Sequence, residues 1–245
     1  MGKLTIGIIT IPHTTKQSHI MKSYVDWFEK AGVNVLPIPF DTQHHELYFR
    51  VVHGLFIPGT DKGYDIKNKV FMKSVATFIT LSQRHNEYFP IWGTCFGFEV
   101  LLTLIGGVRR FKHYPMVGLN TITMVKGHHK MIHTSLSVIQ NHEYSISPED
   151  FMANRVLSEF FNIDATAIDA KGKIYVAAIE AKQYPIYGVQ FHPEQADSGR
   201  QDLAFLVSEL RKNRRVMSIP VERITMKAQK CLHYDGLKNE LCYFF

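Results

Sequence analysis

Short apolar runs separated by helix-like segments constrain this chain more than any other feature. Residues 4–11 (LTIGIITI), 33–38, 54–57 and 88–92 are each short and largely apolar, the pattern of strands covered on both faces. Between them, residues 18–31 run into Gly32 as a C-cap, Asp41 or Thr42 can cap a helix reaching about residue 52, and residues 65–86 carry Val70, Phe71, Val75, Phe78 and Ile79 close to helical spacing. Repeated alternation of this kind predicts a doubly wound α/β sheet. In that class sites lie beyond the carboxyl ends of the strands, where Pro58-Gly59-Thr60 and Cys95 both fall.

The pattern changes after Gly107. Residues 121–125, 135–140, 163–168 and 173–181 are β-like, and Asp169-Ala170-Lys171-Gly172 joins the last two as a hairpin turn, so an antiparallel section is expected beside the parallel core. Ser147-Pro148-Glu149-Asp150 opens a short helical stretch broken before residues 155–161. A final strand over 185–191 runs into His192-Pro193-Glu194, and 198–213 forms the last amphipathic helix. The domain is expected to span 1–215, leaving 216–245 as a basic C-terminal extension.

The formal net charge of +6 resembles a nucleic-acid signal until it is divided along the chain: residues 1–210 hold 20 Lys and Arg against 19 Asp and Glu, and residues 211–245 hold 8 against 3. The body is near neutral, so no nucleic-acid partner is expected. No apolar run approaches the roughly 20 residues that span a bilayer, so no membrane span is expected either. Cys95, Cys231 and Cys242 are too few for a disulfide framework. With no N-x-S/T acceptor and a strand candidate starting at Leu4, they favour a cytoplasmic location. Cys242-Tyr243-Phe244-Phe245 has the outline of a C-a-a-X box with poorly matching aromatic residues in the middle.

The chemistry centres on Phe89-Pro90-Ile91-Trp92-Gly93-Thr94-Cys95-Phe96-Gly97-Phe98-Glu99, which sets one cysteine between a strand-like run and a helix-like run. A sharp strand-to-helix turn needs small residues where backbones approach closely, and Gly93 and Gly97 flank Cys95 as G-x-C-x-G. Such an elbow raises its apex side chain at a helix N-terminus, where the dipole favours a thiolate and the amide of Phe96 can face a developing oxyanion. The plain alternative is a small buried cysteine between packing glycines. A thiolate nucleophile also needs a base, and the base an orienting partner. His192 and Glu194, at i and i+2 of an extended segment, put both side chains on one side and supply both roles. Each alone reads as an ordinary surface residue; the combination is far more specific.

The segments GTCFGFE (93–99), YPIYGVQFHPE (184–194) and FIPG (56–59) are similar to those of the γ-glutamyl hydrolases of folate metabolism, within the class I glutamine amidotransferase-like superfamily, and the resemblance extends from Ile6 to about Asn213. It implies a three-layer α/β/α fold with a mostly parallel central sheet and an added antiparallel section. It also implies cleavage of γ-glutamyl bonds in folyl poly-γ-glutamates, a small-molecule substrate, by a Cys95-His192-Glu194 triad without a cofactor or metal. Phe96 and Thr60 would supply the oxyanion amides, and Gly59 and His142 would bind substrate. The sequence leaves open whether the chain forms a homodimer. Amidotransferase elbows usually carry Gln where this chain has Glu99, and Asn141-His142-Glu143-Tyr144-Ser145-Ile146-Ser147 matches the hydrolase segment that adds a histidine; a plain turn histidine is the other reading of His142. Where the hydrolases have a Gly-Gly pair, Thr60 takes the second place, which a β-branched residue tolerates only if φ stays negative. The segment after Glu194 is shorter than in the hydrolases. An amidotransferase working with a synthase, and a silent interaction protein with a spoiled oxyanion hole, are the competing readings. His128, His129 and His133 read as loop histidines without a fuller ligand set.

Overall fold

The computed structural model describes residues 4–13, 17–60, 66–85, 87–125, 127, 130, 131, 134–196, 199–215, 229, 230 and 241–245. They fall into two compact units, Met1–Ile91 with Leu206–Phe245, and Trp92–Phe205.

In the first unit β1 (Thr5–Ile9) is followed by β2 (Ile11–Pro12), β3 (Ser18–Met21), α1 (Lys22–Lys30), β4 (Asn34–Ile38), α2 (His45–Val51), β5 (Gly54–Ile57) and α3 (Lys69–Arg84). β1 pairs in parallel with β4 and β5, as the alternation predicts. α1 buries Tyr24, Val25, Trp27 and Phe28, and the rings of Tyr24 and Phe28 lie 5.1 and 5.2 Å from Phe56 of β5. Burial of each such side chain contributes about 1.5–3 kcal/mol. α3 starts at Lys69, where the Asn68 side chain accepts the Phe71 amide, and buries Phe71, Val75, Phe78 and Ile79; Val70 faces outward at 51% exposure.

The start of the helix expected over 18–31 is instead strand. β3 pairs with β2 and with β13 (Leu241–Phe244), and a backbone pair between Ser18 and Phe245 closes the ladder. Residues 18–21 cannot show this locally, because the partner lies more than 200 positions along the chain. β12 (Gln229–Lys230) completes this sheet in the order β12-β13-β3-β2. Cys242 on β13 is fully buried and disulfide-bonded, whereas Cys95 is free; Cys231 lies outside the described residues. Three cysteines remain too few for a framework of disulfides, but Cys242 is not a free thiol, so the cysteine count by itself does not argue for a reducing compartment.

The second unit takes in β6 (Ile91–Thr94), α4 (Phe96–Gly106), β7 (Lys112–Met124), β8 (Leu136–Ser145), α5 (Pro148–Ala153), α6 (Arg155–Phe160), β9 (Phe161–Ile168), β10 (Ile174–Ala181) and β11 (Ile186–Val189), and it enters α7 (Gly199–Lys212). Its strands lie in the order β6-β11-β10-β9-β7-β8, with antiparallel pairing from β11 to β8. The β9–β10 hairpin turns where predicted, with the Asp169 side chain accepting the amides of Lys171 and Lys173. β7 and β8 are longer than their hydrophobic patterns indicate. His142 therefore lies in a strand, paired with Met116, and not in a turn. Asn154 separates α5 from α6 and caps the latter through the Leu157 amide. No helix among the described residues is long and apolar enough to cross a membrane.

Candidate active site

Cys95 stands where β6 gives way to α4, with φ 53° and ψ −106°, and among the described residues it is the single non-glycine with positive φ. Backbone in such a region costs on the order of 1–3 kcal/mol and persists only where the surroundings impose it. Two constraints do so. The Cys95 amide donates to the Val189 carbonyl of β11 at 2.8 Å, and its carbonyl accepts the Glu99 amide at 3.2 Å. The turn is so tight that a Cβ on Gly93 would sit 2.5 Å from the Gly97 carbonyl oxygen. The glycine spacing thus reflects a close approach of backbone to backbone, and it leaves a buried Cys95 at the N-cap of α4.

His192 follows β11, and its Nδ1 lies 2.8 Å from Glu194 Oε1, the two side chains being 5% and 0% exposed. Pro193 to Gln195 form one 3-10 turn, so the pair is held by a turn and not by the extended segment expected from the i, i+2 spacing. Burial alone would lower the His192 pKa. The Glu194 carboxylate on one side and Cys95 on the other more than offset it, and the imidazole is held well above its ordinary value. β8 frames this couple: the Ile139 carbonyl accepts the His192 amide at 2.8 Å, and the Cys95 thiol points to the Asn141 carbonyl at 3.7 Å.

His142 reaches the same neighbourhood from β8. It is 5% exposed, and its ring packs edge-on to Tyr175 at 5.0 Å. Burial, and then the neighbouring His192, lower its pKa to about 3, so it is a neutral imidazole near pH 7. Gly59 and Thr60 lie in the first unit, directly after β5. The Gly59 amide is already committed, donating to the Tyr24 hydroxyl at 2.9 Å. Thr60 keeps negative φ, so a β-branched side chain causes no backbone strain there.

Sequence reasoning missed the role of β8 as a frame, because backbone carbonyls carry no residue signature. It also gave no sign of the raised proton affinity of two acids. Desolvation pushes Glu99 up to about 8, against a hydrogen bond from Gln190, and pushes Asp202 on α7 up to about 7. Asp202 is 2% exposed and binds its proton more tightly folded than unfolded. Its contribution to stability is therefore complete below about pH 4 and is lost as pH rises towards about 7. Urea unfolding at pH 4.5 and 7.5 should show a fall in stability of a few kcal/mol that Asp202→Asn reduces; an equal fall in both proteins would refute the assignment. No group of three potential metal ligands occurs among the described residues, and His128, His129 and His133 lie outside them.

Residues 16–212 match the model of the family described as glutamine amidotransferase class-I. The chain is 31% identical to the γ-glutamyl hydrolase of Mus musculus over 80% of its own length and 72% of the relative. It is 32% identical to that of Homo sapiens, over 73% of the chain and 61% of the relative. It is 30% identical to γ-glutamyl hydrolase B of Dictyostelium discoideum, over 78% and 62%. The chain thus spans about three-fifths of the length of the human and Dictyostelium relatives. In structure it resembles the CTPS glutaminase domain of Trypanosoma brucei, with a TM-score of 0.62 at 16% identity, over 88% of this chain and 96% of that one. A Thermoplasma acidophilum protein assigned as a component of GMP synthase gives a TM-score of 0.65 at 21% identity, over 87% and 97%. The α/β fold with its antiparallel section is therefore that of the class I glutamine amidotransferases, and within that family the chain belongs to the γ-glutamyl hydrolases.

Proposed function

We propose that this protein is an enzyme that hydrolyses γ-glutamyl bonds in folyl poly-γ-glutamates through a thioester on Cys95. The observation that carries the reading is the Cys95, His192 and Glu194 arrangement: a thiol on a strained elbow, an imidazole interacting with it, and a carboxylate 2.8 Å from the other ring nitrogen. Sγ attacks the γ-amide carbonyl while the thiol proton passes to His192. The Phe96 amide at the start of α4 receives the oxyanion, with Thr60 as the proposed second donor, carried over from the resemblance. His192 then protonates the departing amine, and in the second half-reaction it takes a proton from the water that opens the thioester. His142, being neutral, serves as a hydrogen-bonding group for substrate and not as a cation. Gly59, carried over from the resemblance as a substrate-binding residue, has its amide donating to the Tyr24 hydroxyl.

Purified protein incubated with a pteroyl poly-γ-glutamate and, separately, with glutamine tests the reading. Shortened chains, absent from a Cys95→Ala control, are expected. Ammonia from glutamine with intact poly-γ-glutamate would replace it with the amidotransferase reading, and no reaction with either would favour the silent protein. The 31% identity to a γ-glutamyl hydrolase over 72% of that relative's length favours the first outcome.

Glu194→Gln tests the orienting role. The exchange keeps size but removes the charge that raises the His192 pKa, so the limb of the pH–rate profile that reports His192 should move to lower pH. A fall in kcat/KM of roughly 10²- to 10⁴-fold is expected, from both the displaced limb and a less firmly held tautomer. An unmoved profile would show that Glu194 does not govern His192.

A further inference from the structure

We propose that Arg109 and Arg110, which lead into β7 just before His113 packs against Tyr144 of β8, bind the α-carboxylates of γ-glutamyl residues beyond the one being cleaved. The inference rests on the hydrolase reading and extends it to the polyanionic tail of the substrate.

Strand register supplies the path. Met116 of β7 lies opposite His142 of β8, and His113 lies opposite Tyr144, with an irregularity between the two pairs. At about 3.3 Å per residue, His113 is only about 10 Å along the ribbon from the level of His142. His142 and Tyr144 are two residues apart on one strand and so share a face. That face is closed at His142, 5% exposed, and open at Tyr144, 48% exposed. An extended chain leaving His142 on this side therefore emerges at Tyr144 and His113, whose rings pack edge-on at 5.8 Å.

Charge supplies the chemistry. Arg109, Arg110, Lys112 and His113 fall within five consecutive positions, in a unit whose other charges are mixed. Lys112 is engaged by Asp150 at 2.6 Å. Arg109 and Arg110 are exposed and have no acidic partner among the described residues. Glu143, the nearest acid on β8, alternates to the opposite face from Tyr144. Two exposed guanidinium forks match a ligand that presents a carboxylate at every repeat. A γ-linked chain does so, because its α-carboxylates stay free while its backbone runs through the side chains.

The test is binding to the Cys95→Ala protein, which separates recognition from turnover. Titration with a γ-linked glutamate pentamer and dimer should show the pentamer bound about tenfold more tightly, with the advantage growing at low salt. Adding Arg109→Glu and Arg110→Glu should bring the ratio to about one. Adding Lys171→Glu and Lys173→Glu on the β9–β10 hairpin, an equal change of net charge elsewhere, should leave it intact. A ratio that survives the arginine exchange, one that collapses equally with the lysine exchange, or no binding of either oligomer would overturn the proposal. Cleavage by the unaltered protein tests the hydrolase reading independently of all three.

Discussion

Replacing Cys95 with alanine should abolish turnover, lowering kcat/KM by at least about 10⁴-fold, since the residual rate would come only from binding and oxyanion contacts. The stronger form of this prediction pairs activity with stability. Alanine keeps a Cβ at φ 53°, so Cys95→Ala inherits the backbone strain of the native residue. Glycine removes the Cβ and with it the steric objection, at the cost of a more flexible unfolded chain. Strain of about 1–3 kcal/mol exceeds a glycine entropy penalty of about 0.5–1 kcal/mol. Cys95→Gly should therefore be inactive yet more stable than Cys95→Ala by about 1 kcal/mol. Denaturant unfolding of the two variants decides the matter. A glycine variant less stable than the alanine variant would mean that the elbow conformation carries no strain worth relieving.

Gly199→Ala should be nearly as damaging, although Gly199 has no chemistry of its own. A Cβ there would lie 1.8 Å from the carbonyl oxygen of Pro193, which separates His192 from Glu194. No rotamer relieves this clash, because both partners are backbone. Either the start of α7 moves or the turn carrying the histidine and carboxylate moves. Overpacking of this severity costs about 1–3 kcal/mol, and a displacement near 1 Å at reacting groups costs about 10²-fold in rate. The expected outcome is a thermal transition lowered by several degrees together with a drop of about 10²-fold in kcat/KM. Native kinetics in this variant would show that the turn does not depend on the approach of α7.

Much of this was legible locally. G-x-C-x-G between a strand-like and a helix-like run indicates a tight turn because two backbones must approach where Gly93 and Gly97 stand. The Phe71, Val75, Phe78 and Ile79 spacing indicates the buried face of α3, and the Asp169 to Gly172 turn follows from turn chemistry. What was illegible depends on partners far away in sequence. Residues 18–21 have a helix-compatible pattern and become strand because residues 241–244 pair with them. β8 extends through His142 because β7 continues beside it, though neither edge alternates cleanly in that region. The disulfide of Cys242 could not be inferred from three cysteines when one is required free. The framing of Cys95 and His192 by β8 carbonyls had no sequence signal at all.

The bond from the Cys95 amide to the Val189 carbonyl has a kinetic consequence. It joins positions 94 residues apart, and the third contributor, β8, lies between them in sequence. The β9–β10 hairpin and α4 close over short loops and can form early, but the nucleophile and its base meet only when β6 and β11 become neighbours. Contacts of such long separation form slowly, after loop-closure entropy has been overcome. During refolding, recovery of helical signal should thus run ahead of recovery of activity, and the enzyme assay becomes a clock for the last topological step.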